Sequence, residues 1–543
     1  MDRLKSYYLP CVLAVSFIMS FYRLGSLTLF DVDEAVFAEA TKEMIQSGDW
    51  ITPTYNGVVR YDKPILFYWA MAASYKIFGI NEFGARFPSA VSGLLTCLAL
   101  FLFVRRLSNG KTAFYAFLSF VLSIYFLIYS HAAVTDMMLT LFITLSLFSF
   151  FLSETEKDRA SVREKWYSYG FYLFSALAFL TKGLIGIIFP FGIAVIYRLF
   201  TERLSGVRKV FSLRGLILFF IVSAPWYIAE FAINGKEFIE QFFIKHHLMR
   251  YTGVISGHRG PVYYYILVLI VGLFPWIAFL PGGIVDVFTE GIKVRLANSG
   301  KGEEIDNEKK SQLYSPTLRL FALIWFAFIV LFFSLATTKL PNYILPAVPA
   351  MVILIASGMS EKGGQGIKYS QYFIATVSLL IGIAFIVSKK YLLQTGIPET
   401  GWTLTAAAIM TAMAALSTYA ALSKKTLYGF ISALTIIFLL LLSTTALPIA
   451  NQYLQGSLHK FSLYARGRLS DDERVIAYGI NNPSIVFYSG HKVTRISKVE
   501  ALSELVRADS RLIVISKIKD IDMLEGLGLK LLEQSGKYAI LEK

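Results

Sequence analysis

Apolar residues run along this chain in long stretches, separated by short polar segments. Stretches near 87–104, 112–130, 137–152, 169–181, 184–199, 215–232, 263–281, 317–337, 342–358, 370–388, 403–422 and 427–448 approach the ~20 apolar residues a helix needs to cross the hydrocarbon core of a bilayer. Residues 1–22 add one more. Arg3 and Lys5 precede an apolar run longer than a secretory signal's, with no small-residue cleavage site after it, so the pattern predicts a retained first span. The sum is about thirteen transmembrane helices. The segment 64–78 is apolar but short and carries Lys76. If it does not span, the basic segments at 105–111, 157–165, 198–214, 293–310, 362–368 and 424–425 share one side with the N-terminus, as cytoplasmic loops do. It is therefore predicted to be an interfacial or re-entrant helix. The loops 25–86, 131–136, 233–262 and 338–342 and the tail then share the outer face.

After Leu447-Pro448 the apolar pattern stops, which predicts a membrane domain over 1–448 and a periplasmic domain over 449–543. In the tail, β-rich runs at 475–479, 484–490, 511–517 and 538–543 alternate with helical patterns at 498–507 and 520–527, predicting a small soluble α/β domain. The fold class is a polytopic α-helical membrane protein with amphipathic juxtamembrane helices in its first outer loop.

Composition narrows the function. Over 543 residues, 55% are hydrophobic, 15% aromatic and only 16% charged, which excludes a soluble enzyme and intrinsic disorder. Cys11 and Cys97 both lie in apolar runs, so neither a disulfide framework nor a thiolate metal site is indicated. The net charge of +15 sits between apolar stretches, so it reads as topology and membrane-lipid attraction, with no nucleic-acid partner.

The candidate chemistry lies on the predicted outer face. Residues 31–45 form an amphipathic helical pattern in which Asp31 and Glu34 read first as a capping pair. Asp62 sits in the dense polar cluster Arg60-Tyr61-Asp62-Lys63-Pro64, and Asp136 opens an apolar run, where an ionisable group usually has a role. The loop after 232 holds His246, His247, Arg250, His258 and Arg259, and a further loop holds Lys339 and Tyr343. Cations at a bilayer surface suit a phosphate, and carboxylates beside them suit displacement at a sugar carbon. A lipid-borne sugar phosphate meets both requirements.

Several of these residues fall in ordered motifs: Asp33-Glu34-Ala-x-x-Ala38-Glu39, Gly48-Asp49-Trp50-x-x-Pro53, Asn56-Gly57, Asp62-Lys63-Pro64 with Tyr68-Trp69, Glu82-Phe83-x-x-Arg86-x-Pro88-Ser89, and Lys339-x-Pro-x-Tyr343-x-Leu345-Pro346. Together they resemble the bacterial aminoarabinose transferases of lipid A and the wider protein O-mannosyltransferase-like group of the glycosyltransferase C superfamily. The resemblance implies an inverting transfer of 4-amino-4-deoxy-L-arabinose from undecaprenyl phosphate to a lipid A phosphate, a modification that confers resistance to cationic peptides. It implies Asp33 as the key carboxylate, with Glu34 beside it and Asp136 assisting. Donor-phosphate ligands would be Lys63, Arg60, Arg259 and Lys339, and the substrate cavity would include Tyr61, Tyr343 and Arg86. Asp62 and His258 would hold a divalent metal, zinc or magnesium, with no organic cofactor, in a monomer. Aminoarabinose transferases carry Arg where this chain has Val36 and Glu where it has Asp62, which leaves transfer of another polyprenyl-linked sugar to protein or polysaccharide hydroxyls as the alternative. A lipid flippase would gather its ionisable groups near mid-membrane in broken helices, unlike this one-sided set. A membrane anchor for the tail would need none of them.

Overall fold

The computed structural model describes residues 2–156, 161–249, 260–298, 307–360, 365–395, 397–398, 401–470, 473–508 and 511–543. Among them, nine helices are long and apolar enough to cross a membrane. A tenth crossing results if Tyr264–Leu273 and Trp276–Thr289, bent by 111°, form one broken span. The thirteen apolar stretches therefore do not each become one long helix. The stretch 112–130 divides into α5 (Gly110–Val121) and α6 (Ile124–Tyr129), because Ser123 Oγ accepts from Phe126 N at 3.0 Å and starts a new helix. In α1 (Asp2–Phe21) only Tyr8–Phe21 is apolar, and α8 (Val162–Lys182) opens on polar residues.

The first loop is mostly ordered structure. Helix α2 (Asp33–Ser47) ends at Gly48, whose φ of +73° is the left-handed cap that glycine adopts without strain. Asn56-Gly57, both at positive φ, turn strand β1 (Thr54–Tyr55) into β2 (Val58–Val59), the hairpin chemistry expected of that dipeptide. Helix α3 (Leu66–Phe78) has 13 residues, about 20 Å at 1.5 Å per residue, too short to cross the bilayer core. It buries Phe67, Tyr68, Met71 and Tyr75 in a core that the first loop shares with the bundle and the soluble domain, and exposes Trp69, Lys76 and Ile77. Helix α4 (Glu82–Leu107) then enters the bundle.

Two ends of the bundle are distinguished by their contacts. Arg106 meets Glu156 and Tyr167, Arg198 joins Glu154 to Glu202, and Thr112 meets Ser360, which gathers the basic segments at one end. At the other end Ala133 N donates to Glu34, Trp226 Nε1 donates to Ile51 O, and Thr52 donates to Glu230. These bonds bring α2, α7 (Asp136–Thr155) and α10 (Leu213–Phe238) together beneath the first loop.

The chain leaves the bundle as one continuous rod, Tyr428–Arg468. Pro448 removes one backbone bond inside it without ending it, because the turn just before, Leu442–Ala446, is widened into a π-helix. The second half of the rod belongs with the tail, because Leu458, Phe461 and Ala465 pack into the core of the sheet that follows. Strands β3 (Val475–Tyr478), β4 (Val493–Ile496), β5 (Ile513–Lys517), β6 (Lys530–Ser535) and β7 (Tyr538–Glu542) form one sheet in the order β4-β3-β5-β7-β6. β3 is parallel to β4 and β5, while β7 is antiparallel to β5 and β6. The run 484–490, expected as a strand, is a helix over Ser484–Ser489 closed by left-handed Gly490. All six of its residues are buried, so no side faces water to impose a two-residue alternation.

Candidate active site

Asp33 opens α2 with an exposed side chain, while its neighbours on both sides are held. Glu34 turns inward. Arg86 grips it through two parallel bonds, Nε to Oε1 at 2.9 Å and Nη2 to Oε2 at 2.8 Å. The same carboxylate accepts from Phe30 N at 2.8 Å and Ala133 N at 2.7 Å. Burial acts to raise the Glu34 pKa, but Arg86 and these backbone donors win and hold it below the usual carboxylate range. The Arg86 guanidinium also donates to the carbonyls of Leu24 (3.1 Å), Leu27 (2.7 Å) and Thr28 (3.0 Å). Glu34, expected as a catalytic residue, and Arg86, expected in the substrate cavity, are thus bound to each other and to backbone, where they fix the loop's entry into the bundle. Asp31 and Glu34 do not cap α2 as a pair. Its N-cap is Val32, with no side-chain bond, and the Asp31 carboxylate points to the soluble domain.

Asp136, the first residue of α7, is bonded to Lys182 at the end of α8, Oδ1 to Nζ at 2.6 Å, with both side chains buried. Lys182 Nζ lies 5.9 Å from the centre of the Tyr343 ring. Tyr129, at the end of α6, feels the charges of both Asp136 and Asp33, so it marks where the two acids approach one another. Sequence reading missed Lys182 and Tyr129. The rule that selected Asp136, an ionisable group inside an apolar run, also selects Lys182 in Phe179-Leu180-Thr181-Lys182-Gly183-Leu184.

Arg60 donates from Nε to Tyr68 OH at 2.9 Å, lies over the Phe37 ring at 5.1 Å, pairs with Asp62 at 3.2 Å and lies within the field of Asp33. Lys63 Nζ donates to its neighbour's carbonyl, Asp62 O, at 3.0 Å. The expected phosphate ligand Lys339 is buried, with Nζ donating to Ser334 O at 2.9 Å and Ala336 O at 2.6 Å, and burial pushes it below the usual lysine range. Lys339 therefore caps the end of the helix Asn307–Leu335 in this conformation. Tyr61 packs against Phe238 at 6.2 Å and belongs to the core beneath the first loop rather than to the Asp136–Lys182 cluster. His258 and Arg259 lie outside the described residues, as do the side chains of His246 and His247. Gly260 just after them packs on Lys339: a Cβ there would lie 3.1 Å from Lys339 Cδ.

A divalent metal would need donors that converge. Asp62 is engaged by Arg60, and among the described residues no group of three His, Cys, Asp or Glu comes together. The expected second ligand, His258, lies outside the described residues, and no chemical step is routed through a metal.

The model of the family described as dolichyl-phosphate-mannose-protein mannosyltransferase matches residues 10–239. An undecaprenyl phosphate-alpha-4-amino-4-deoxy-L-arabinose arabinosyl transferase of Shewanella sediminis is 31% identical over 387 residues, 70% of this chain and 65% of its own length. One of Edwardsiella ictaluri is 30% identical over 68% of this chain and 63% of its own. The chain thus spans a little under two thirds of these relatives. The crystal structure of ArnT from Cupriavidus metallidurans bound to undecaprenyl phosphate superposes with a TM-score of 0.79 over 99% of this chain and 98% of that one at 19% identity, showing the same fold. With the one-sided set of acids and cations over a multi-pass bundle, these matches show a chain with the fold of ArnT that is related in sequence to the arabinosyl transferases and, over residues 10–239, to the dolichyl-phosphate-mannose-protein mannosyltransferase family.

Proposed function

We propose that this chain moves 4-amino-4-deoxy-L-arabinose from undecaprenyl phosphate to a phosphate of lipid A, as a monomer, on the periplasmic face of a bacterial inner membrane, and so confers resistance to cationic peptides. The observation that carries the reading is Asp33: an exposed carboxylate at a helix start, pinned on both sides, in one electrostatic neighbourhood with Arg60, Tyr129 and Asp136. The names of the Shewanella and Edwardsiella relatives supply the sugar and its carrier.

An acceptor phosphate oxygen attacks the sugar's anomeric carbon, and the bond from that carbon to the carrier phosphate breaks, its electron pair leaving on the undecaprenyl phosphate. A lipid phosphate is already ionised near neutral pH, so the step needs no strong base. Asp33 orients the acceptor side of the sugar and stabilises its positive character. Lys63, Arg60 and Arg259 stabilise the leaving phosphate, the contribution that usually dominates such a step. Lys182 holds the Asp136 carboxylate in place by their ion pair and lies beside the Tyr343 ring. Lys339 joins the phosphate ligands only if it leaves its two carbonyls. A divalent cation at Asp62 and His258 belongs to the proposal too, and would make transfer sensitive to chelators.

One observation favours hydroxyl acceptors. Val36 is 5% exposed where aminoarabinose transferases carry Arg, so a guanidinium contact of theirs is missing here. With a hydroxyl acceptor, Asp33 or Asp136 would serve as the general base.

The test is mass spectrometry of lipid A from a transferase-null host carrying the chain, its Asp33→Asn variant or its Glu34→Gln variant. The expected result is one added aminoarabinose residue with the parent chain and a loss of about 100-fold or more with Asp33→Asn, whose folded yield is unchanged. Glu34→Gln leaves Arg86 buried beside a neutral group, so it loses folded protein, at about 3–5 kcal/mol. A folded parent chain that adds nothing to lipid A overturns the lipid A reading and moves the search to hydroxyl acceptors.

A further inference from the structure

The segment that delivers Asp33 is tied on its upstream side to the soluble domain. Asp31 is the centre of the attachment. Its carboxylate accepts from Ser484 N at 2.7 Å, Ser484 Oγ at 2.7 Å and Asn482 Nδ2 at 2.9 Å. With the Gln455 amide oriented to suit, its nitrogen donates to the same carboxylate at 3.0 Å and its oxygen accepts from Asp31 N at 3.1 Å. Further bonds act on residues 28 and 29. Leu29 N donates to Tyr488 OH at 2.8 Å, and that hydroxyl donates to Glu82 at 2.9 Å. Thr28 exchanges bonds with Asn451, donating from Oγ1 at 2.9 Å and accepting at its carbonyl at 3.1 Å.

Asp33 thus sits between two anchors of different origin. Glu34, one residue downstream, is held by the membrane bundle through Arg86 and Ala133. Asp31, two residues upstream, is held by a domain more than 400 positions away in the chain. Charge-assisted bonds to a carboxylate are the strong kind, and an error of about 1 Å in a reacting group costs on the order of 100-fold in rate. We propose that the soluble domain is the positioning device for Asp33, with Asp31, Asn482 and Ser484 as its lock, so that the domain takes part in transfer without touching substrate. These three are positioning residues, and the inference rests on the role given to Asp33 above.

The test uses the full-length chain in lipid nanodiscs with the polyprenyl-phosphate-linked aminoarabinose donor. Asn482→Asp sets one carboxylate against another. The expected result is a kcat lowered about tenfold or more, a donor KM and donor-binding stoichiometry unchanged, and faster amide exchange across residues 28–38. The double change Asp31→Asn with Asn482→Asp exchanges donor and acceptor within the same bond, and is expected to restore kcat to within about threefold and the exchange protection with it. The inference is overturned if Asn482→Asp leaves kcat and exchange unchanged, if binding stoichiometry falls in step with kcat, as a loss of folded protein would cause, or if the double change restores neither. A parent chain that transfers nothing refutes the reading of Asp33 separately, while the exchange measurements still decide whether the domain holds this segment.

Discussion

Glu34 and Glu39 lie on the same helix, both 5% exposed, and the structure treats them oppositely. Glu34 receives a guanidinium and two backbone amides, and stays ionised. Glu39 has one ammonium, Lys42, at 3.1 Å, with Glu43 also acting on it, and burial pushes its pKa up to about 7. Tyr55 and Tyr75 feel its charge, and His491 and Lys492 line the same cavity of about 400 Å³ between α2 and the soluble domain. Because the folded state holds the Glu39 proton more tightly than the unfolded chain, its contribution to stability is fullest below the unfolded value of 4.5 and is lost as pH rises through about 7. The difference is on the order of 3 kcal/mol. Comparing unfolding midpoints of the parent chain and Glu39→Gln from pH 5 to pH 8 should show the parent losing stability relative to the variant as pH rises; parallel curves would rule this out. At this scale the sequence identified which acids mattered but not what each does. Asp31, Asp33, Glu34 and Glu39 look alike in a list of residues, and partners 50 to 450 positions away separate them.

Elements were more legible than partners. Hydropathy placed most spanning helices, the short α3 and three of the five tail strands, because each signal lies within one window of sequence. It failed where packing overrides the window. The run 112–130 reads as one apolar span, yet Ser123 restarts the helix inside it. The run 484–490 reads as a strand, yet Asp31 holds its first amide and Gly490 ends it as a helix. Close helix contacts are equally hidden. At Gly283 an added Cβ would lie 1.9 Å from Leu354 O, and at Gly358 one would lie 2.3 Å from Phe279 O. In lipid, where apolar burial does not drive helices together, such approach through small residues is a main source of attraction. Gly283→Ala should therefore cost about 2–3 kcal/mol as the helices separate, read as a lowered melting temperature in detergent. Gly429→Ala, with no atom within 4 Å of the new methyl group, should not lower it. Equal behaviour of the two would mean that this helix pair tolerates separation.

Across the whole molecule, charge and chemistry separate to opposite ends, and the proposed orientation in the membrane rests on that separation. Arg105, Arg106 and Lys111, with Arg208, Lys209 and Arg214, belong to the end whose loops are joined by Arg198 and Arg106. Asp33, Asp136 and the soluble domain belong to the other. Short basic loops are usually retained on the cytoplasmic side, and the proposal that the site end faces outward, toward a lipid A phosphate, rests on that tendency. Two cysteines test this in a Cys11→Ser background, Cys97 being buried. Val58→Cys stands at the tip of the β1–β2 hairpin on the site end, where Val58 is 69% exposed, and Ser212→Cys stands at the basic end, also exposed. In intact spheroplasts a membrane-impermeant maleimide should label the first and reach the second only after permeabilisation. The opposite pattern would put Asp33 in the cytoplasm, where the acceptor would have to be a substrate of that compartment, and the lipid A reading would fall even with the fold and the enzyme class intact.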